Sequence, residues 1–294
     1  MGVFKAVTFV FEPSADGVDL VVTGEWSPVA RQALEDGRAD GLVLNYAKGF
    51  REKPIDFLEG LQIRKLNLLA RSVSDLTPVY SLASSLQELR VQSDPHAVLQ
   101  LGRLPRLRTL AASWHQIQGS IVFASQLESL SVASYAGSDL EPLGSLSSLA
   151  SVVMKERPKL RSLDGIEAFP WLAHLEVHRA RNLVDISGLQ QVSSPILEVL
   201  QLPSCQKVLD IASVASCTSL RFFELSEGAE IPSVAALSDL LRLERPYLYG
   251  STKVADGDLL PIANLPRLRD FRMVNRRNYT PSTLVIKEEI DRRS

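Results

Sequence analysis

A recurring leucine spacing constrains the fold of this 294-residue chain more than any other feature of its sequence. The pattern is a leucine, two other residues, a second leucine, one other residue and a third leucine or similar apolar residue. Copies of it begin at Ala39, Ile63, Leu86, Leu107, Leu127, Leu149, Leu172, Leu197, Leu220, Leu240 and Leu268. A fixed period of roughly 20 to 50 residues is typical of a solenoid, in which stacked units share one continuous core.

A second pattern lies between the leucine copies. An acidic residue is followed three positions later by proline in "SDLTPVYSL" from Ser74, in "SDLEPLGSL" from Ser138 and in "GDLLPIANL" from Gly257. Proline fits the first turn of a helix, because the backbone there needs no donor. Each repeat is therefore predicted to contain a short strand, a turn and a short helical segment.

Together these patterns resemble the leucine-rich-repeat proteins, and most closely their short, internalin-like bacterial class. The resemblance implies an α/β fold: a right-handed leucine-rich-repeat solenoid of about eleven repeats, with a parallel concave sheet, short helical convex segments and terminal caps. It covers about residues 39–275. The family usually has Asn or Cys at the ninth repeat position, and here only Cys205 matches.

The two ends of the chain are predicted to be caps. Residues 1–38 read as a hairpin, with Phe4, Val7, Phe9 and Phe11 alternating along a strand, followed by a helix that Ser27 caps. Residues 276–294 are expected to close the other end, with Leu284, Val285 and Ile286 over the last apolar layer. The predicted organisation is therefore a cap at 1–38, a solenoid at 39–275 and a cap at 276–294.

One step of the repeat, from Leu240 to Leu268, is longer than the others. The excess is assigned to an insertion within residues 245–257, which carries Tyr247 and Tyr249. Two interpretations stay open for this segment. It either packs back on the terminal repeats or flanks the concave face and contacts a partner.

Strand side chains alternate between faces, so residues three, five and seven of each repeat, counted from its first leucine, should lie on the concave surface. The candidate partner-binding residues there are Lys155, His174, Glu176, His178, Phe222 and Glu224, with Trp114 beside a smooth uncharged region and with Tyr247 and Tyr249 in the insertion. A phenylalanine on this face either binds a partner or covers neighbouring side chains.

Composition and motifs argue against several other classes of function. A net charge of −2 gives no overall attraction to nucleic acid or anionic lipid. Asp270 interrupts the basic run Arg267, Arg269, Arg272, Arg276 and Arg277, so nucleic-acid binding is not expected. His174 and His178 lie about 13 Å apart if "HLEVH" is a strand, so no metal site is expected. No phosphate-binding loop or catalytic motif occurs, and neither enzymatic activity nor a cofactor is predicted.

The sequence thus predicts a non-catalytic module that binds a protein partner on its concave face, such as an inhibitor, an immunity protein or an adaptor. The alternatives are a secreted or surface internalin-like effector, and an accessory subunit of a nucleic-acid or enzyme complex. Cys205 and Cys217 are the only cysteines and are read as buried apolar residues, compatible with a reducing cytosol. No apolar stretch is long enough to span a membrane, so a cytoplasmic location is expected. An excess of arginine over lysine hints at a bacterial source.

Overall fold

The computed structural model of the chain describes residues 8–191 and 196–293. Phe4 and Val7, which the sequence assigns to the first strand, lie outside these residues. The chain divides into two compact units, Met1–Leu127 and Glu128–Ser294.

The first unit is built on parallel strands that follow one another in chain order. Its strands are β1 (Phe9–Ser14), β2 (Gly17–Val22), β3 (Gly41–Asn45), β4 (Lys65–Leu69), β5 (Glu88–Gln92) and β6 (Thr109–Ser113). β1 and β2 form an antiparallel hairpin, and each strand from β2 to β6 pairs in parallel with the next. The connecting helical segments are α1 (Pro28–Glu35), α2 (Trp114–Ile117) and the 3₁₀ turns Tyr46–Lys48, Asp56–Leu58, Thr77–Leu82, Leu101–Arg103 and Ile121–Phe123.

The second unit repeats the same arrangement. Its strands are β7 (Ser129–Ala133), β8 (Ser151–Lys155), β9 (His174–Val177), β10 (Val199–Gln201), β11 (Phe222–Glu224), β12 (Glu230–Ile231), β13 (Arg245–Leu248), β14 (Lys253–Val254) and β15 (Arg272–Met273). β7 to β11, β13 and β15 are successive parallel neighbours, and β12 pairs with β14. The helical segments are α3 (Leu260–Ala263), α4 (Thr283–Arg293) and the 3₁₀ turns Glu141–Leu143, Ile166–Ala168, Ser187–Gln191, Ala212–Ser216 and Ala235–Leu237.

The framework leucines point into the core, as the alternation along each strand predicts. In β7, Leu130 and Val132 are fully buried, whereas Ser129 and Ser131 are half-exposed on the other face. β9 follows the same rule, with Leu175 buried between half-exposed neighbours. Burial of the apolar positions is the main favourable contribution to stability in such a stack.

Acidic side chains precede helical segments and accept a hydrogen bond from the first backbone N–H of each. The Oδ1 atom of Asp75 accepts a hydrogen bond from the Thr77 backbone N–H at 2.8 Å, and Asp258 does the same for Leu260 at 2.9 Å. The hydrogen bonds at Thr77 hold the pKa of Asp75 below its ordinary value. The proline three positions after each aspartate then occupies a place where no backbone donor is required.

The predicted insertion at 245–257 is wrong, because the repeat begins at Leu243 and not at Leu240. The pairing of β11 with β13 sets Phe222 opposite Arg245 and Glu224 opposite Tyr247. Residues 245–248 are therefore a regular strand, and residues 253–254 form β14 beside β12. Tyr247 thus takes the fifth position of its repeat, on the same sheet face as Glu224.

The ends of the chain carry the predicted kinds of element, with one difference in packing. Ser27 caps α1 by accepting a hydrogen bond from Ala30 N–H at 3.2 Å. At the other end, Ile286 is buried, but Leu284 and Val285 are exposed. Successive residues of a helix point in different directions, so α4 buries a stripe and cannot bury three residues in a row.

Both cysteines are free and buried, as their sequence context predicts. Burial raises the pKa of the Cys205 thiol to about 12 and that of Cys217 to about 12. Cys205 lies at the ninth repeat position, and its Sγ donates a hydrogen bond to the Val177 carbonyl oxygen at 3.2 Å. The thiol therefore satisfies a backbone acceptor of the preceding repeat.

Candidate functional site

The candidate residues of the second unit come together on one sheet face because its strands pair in register. His174, Val199, Phe222 and Arg245 lie side by side across β9, β10, β11 and β13. Glu176, Gln201, Glu224 and Tyr247 form the next row. This face carries an aromatic cluster (Phe222, Tyr247 and Tyr249) and a histidine cluster (His174, Glu176 and His178).

The rings of the aromatic cluster contact one another edge to face. The Phe222 and Tyr247 ring centroids are 4.8 Å apart at an interplanar angle of 72°, and those of Tyr247 and Tyr249 are 6.3 Å apart at 67°. Both distances and angles match the geometry that aromatic quadrupoles favour. Phe222 and Tyr247 are half-buried and Tyr249 is 38% exposed, so the cluster presents ring surface to solvent.

Guanidinium groups cover two of these rings. The Arg245 guanidinium lies 4.8 Å from the Phe222 ring centroid, and that of Arg272 lies 4.4 Å from the Tyr247 centroid. Cations within about 6 Å of a ring centroid are attracted to the ring face. Arg272 is also held by Asp270, at 3.3 Å between Nη2 and Oδ2.

The tyrosine hydroxyls are fixed by carboxylates. Tyr249 donates to Glu224 Oε1 at 3.1 Å, and Tyr247 donates to Asp270. Burial, with the hydrogen bond to Asp270, raises the pKa of Tyr247 above its ordinary value. The orientation of both rings is therefore set by polar contacts as well as by packing.

Glu224, predicted as an exposed contact residue, is only 6% exposed, and this prediction is corrected. It does lie at the predicted outward position, but neighbouring strands cover it. It accepts hydrogen bonds from Gln201 Nε2 at 2.7 Å, from Ser226 and from the Tyr249 hydroxyl. In the structure, Glu224 holds the Tyr249 hydroxyl in place and is shielded from solvent.

In the histidine cluster one carboxylate stands between two imidazoles. His174 Nε2 lies 2.6 Å from Glu176 Oε1, and His178 Nε2 lies 2.8 Å from Glu176 Oε2. Within residues 8–191 and 196–293, no group of three or more His, Cys, Asp or Glu side chains is arranged to hold a metal ion. Glu176 was predicted on this face but its bridging role was not, although the alternation His-x-Glu-x-His on one strand is the signal for it.

The bridged carboxylate predicts a pH-dependent contribution to stability. Burial alone would raise the pKa of Glu176, but hydrogen bonds and charge from His178 and His174 outweigh burial and lower it below the ordinary value of 4.5. A depressed native pKa means that the contribution is present above the ordinary value and is lost as the pH falls through the native one. We expect Glu176→Gln to lower the free energy of unfolding at pH 7 and to have little effect near pH 3, as measured by urea unfolding.

Glu167→Gln, on the exposed face of the 3₁₀ turn Ile166–Ala168, is the control for this prediction. It removes the same charge away from the histidines. Equal destabilisation by Glu176→Gln at both pH values would contradict the assigned pKa direction.

Two further candidates lie outside these clusters. Lys155 is exposed at the end of β8, in the same unit as the clusters. Trp114 was predicted beside the smooth uncharged region of the sheet face but is 6% exposed, so that prediction is corrected. The chain leaves the strand at Ser113 and enters α2, and the indole packs inward from there.

Two arginines of the basic run near the C-terminus are held by different neighbours. Arg269 pairs with Glu244 at 3.7 Å, whereas Arg272 pairs with Asp270 and covers Tyr247. Arg276 is half-buried, unlike the exposed Arg277. These contacts direct the Arg269 and Arg272 guanidinium groups to different acidic partners.

Comparison with known proteins supports the fold. Neither a protein-family model nor a curated protein matches the sequence. Among solved structures, an internalin (InlF) from Listeria monocytogenes is similar over 88% of this chain and 83% of that one, with 17% identity and a TM-score of 0.55. A leucine-rich-repeat protein from Leptospira interrogans is 18% identical over 86% of this chain and 58% of that one, with a TM-score of 0.49.

The helices in the described part of the chain are too short or too polar to cross a bilayer.

At 17% identity, the likeness to the Listeria protein concerns the fold. With the repeating strand, turn and short helix found in both units, it identifies this chain as an α/β protein with an internalin-like leucine-rich-repeat fold.

Proposed function

We propose that the protein is a binding module whose second unit recognises a protein partner on its sheet face. The contact surface comprises the aromatic cluster, the histidine cluster and Lys155. The observation that carries the proposal is the group of contacting, partly exposed rings of Phe222, Tyr247 and Tyr249 on adjacent strands.

The composition of this surface matches the centre of a protein interface. Interfaces are enriched in aromatic residues and arginine, and a few such residues contribute most of the binding free energy. Here Arg245 and Arg272 lie over the rings and keep their charged ends at the surface. A partner that buried the rings would gain apolar contact area and would strengthen the existing cation–π contacts by removing water from them.

The surface is also ordered before any partner binds. The hydroxyl of Tyr249 is tied to Glu224 and that of Tyr247 to Asp270, so neither ring needs to be immobilised on association. Immobilising a side chain costs about 0.5 to 1.5 kcal/mol on association, and a preformed contact avoids that cost.

The polar residues fit the border of such an interface. Lys155 and the two imidazoles of the histidine cluster are exposed or half-exposed, and they offer charge and hydrogen bonds around the rings. His174 and His178 lie on an open strand surface, and their side chains are 33% and 34% exposed. We therefore propose binding without catalysis, as an inhibitor, an immunity protein or an adaptor would require.

The proposal predicts that one ring is essential for affinity. Phe222→Ala should weaken binding of a partner captured from the native host by more than about 1 kcal/mol, because the substitution removes one ring of the aromatic cluster, which packs against Tyr247. The partner is identified by mass spectrometry after capture, and its dissociation constant is then measured by calorimetry with the purified variants.

Trp171→Ala is the matched control, since Trp171 is 65% exposed and lies in the turn before β9, off the sheet face. It should leave affinity unchanged. A partner that tolerates Phe222→Ala but is lost with Trp171→Ala would overturn the assignment of the sheet face.

A further inference from the structure

A second, chemically different site lies where three neighbouring strands of the second unit end. β8, β9 and β10 pair in register, so the turns that follow them meet at one edge of the sheet. A pocket there, which we call the arginine pocket, is lined by Arg157, Arg179, Arg181, Ser204 and Gln206.

The lining of the arginine pocket consists of hydrogen-bond donors. A guanidinium group carries five N–H donors and stays protonated at physiological pH, and the hydroxyl and amide groups can donate as well. In the described part of the chain, no ion pair joins Arg157, Arg179 or Arg181 to a carboxylate. Three cations therefore line one depression without a compensating anion from the protein.

The surroundings add to this positive charge. Residues 155–161, 178–182 and 203–207 contain the basic residues Lys155, Arg157, Lys159, Arg161, Arg179, Arg181 and Lys207, and Glu156 is their only acidic residue. The whole chain has a net charge of −2, so the excess is local. Such a concentration of like charge destabilises the free protein and is relieved when an anion binds.

The backbone that carries the pocket is fixed by hydrogen bonds. Arg179 N–H donates to the Pro203 carbonyl oxygen at 2.9 Å, and Ser204 N–H donates to that of Ser226 at 2.8 Å. The stems of the lining side chains therefore start from positions that the neighbouring repeats determine. The three arginine side chains are exposed, and they are what a ligand has to order.

We propose that the arginine pocket binds the phosphoryl group of a phosphate monoester. Three guanidinium groups, one from the turn after β8 and two from the turn after β9, match three terminal oxygens that together carry a charge of about −1.5 to −2. A single carboxylate offers two oxygens in one plane, which one guanidinium already satisfies. The phosphoryl group can belong to a free small molecule or to a phosphorylated side chain, because both present the same dianion.

The test is calorimetric titration of the full-length protein with O-phosphoserine and with inorganic phosphate at constant ionic strength. We expect saturable binding of both, tighter at pH 7.5 than at pH 5, because the second proton of a phosphate monoester leaves near pH 6. Arg179→Gln should weaken it about tenfold or more, since it removes charge-assisted hydrogen bonds. A phosphoserine-containing peptide distinguishes the two sources, because it binds more tightly than free phosphoserine only if flanking residues contribute.

Arg161→Gln is the matched control, since it removes the same charge from the neighbouring segment after β8 but Arg161 does not line the pocket. Equal weakening by both substitutions would reduce the effect to diffuse electrostatics and overturn the site. Absence of saturable binding of either probe to the wild-type protein would also overturn the site. A single-stranded oligonucleotide that binds while both monoesters do not would assign the pocket to phosphodiesters instead. None of these measurements involves the protein partner, so this proposal stands or falls separately from the proposed function.

Discussion

Replacing Leu175 with alanine should lower the free energy of unfolding by about 2 to 5 kcal/mol, because the truncated side chain leaves a cavity in a closely packed core. Leu175 is fully buried in β9 and lies in register between Val152 of β8 and Leu200 of β10. Neighbouring repeats hold the backbone on both sides, so the site can collapse only partly. The change is measured as a shift in the urea midpoint at constant slope.

Ser131→Ala provides the comparison for this substitution. Ser131 is half-exposed on the opposite face of β7, and its replacement should leave the midpoint within about 0.5 kcal/mol of wild type. If both variants unfolded at the wild-type urea concentration, Leu175 would not belong to the core.

Replacing Gly165 with alanine should be comparably costly, at about 2 to 5 kcal/mol, for a reason that involves the backbone. Gly165 has φ +88°, a conformation that costs an alanine about 1 to 2 kcal/mol. An added Cβ would also lie 2.7 Å from Glu141 N and 3.0 Å from Leu140 C in the preceding repeat. Backbone atoms cannot rotate away, so overpacking adds about 1 to 3 kcal/mol. Thermal unfolding followed by circular dichroism measures the total.

Gly37→Ala separates the two contributions. Gly37 has φ +70° at the end of α1, but an added Cβ there meets nothing within 4 Å. Its replacement should therefore cost only the conformational part, about 1 kcal/mol. Equal losses at Gly37 and Gly165 would show that contact with the preceding repeat contributes nothing.

Most of the strand positions could be predicted from the leucine spacing alone. Apolar residues at every second position must all be buried, so they determine both where the strand lies and which of its faces points inward. A shift of the strand by one residue would expose all of these apolar side chains. Leu130 and Leu175 illustrate this, since both occupy the predicted inward position. The short strands and helices between them depend on hydrogen bonds that the leucine pattern does not encode.

The misassigned repeat shows where that reasoning fails. Leu240 and Leu243 are three residues apart, so the first two leucines of the pattern fit at Leu240, although the true repeat starts at Leu243. Its fourth position is Pro246, a residue that sequence rules exclude from central strands because it cannot donate to the ladder. Pairing with β11 and β15 nevertheless holds Pro246 in β13, and tertiary context overrides the local preference.

The candidate site was predictable in its location but not in its contacts. Alternation placed Phe222 and Glu224 on the outward face, where the structure has them. The burial of Glu224 depends on Gln201 and Tyr249, which are 23 and 25 residues away in sequence. The arginine pocket was missed for the same reason, since its residues come from three turns separated by whole repeats. Contacts between repeats are invisible to a pattern that is read one repeat at a time.

The alternation of inward and outward residues has a consequence for how such a protein can acquire new specificity. The inward leucines and the strand backbone satisfy most requirements of folding, so outward residues that lie outside the aromatic and histidine clusters and their hydrogen-bond partners are under few structural demands. Substitutions at outward positions that do not contact one another should combine almost additively in stability, whereas substitutions within the aromatic or the histidine cluster should couple. The outward residues of such a face can be substituted one at a time. A protein could thus change its binding partner through a series of intermediate sequences that all still fold.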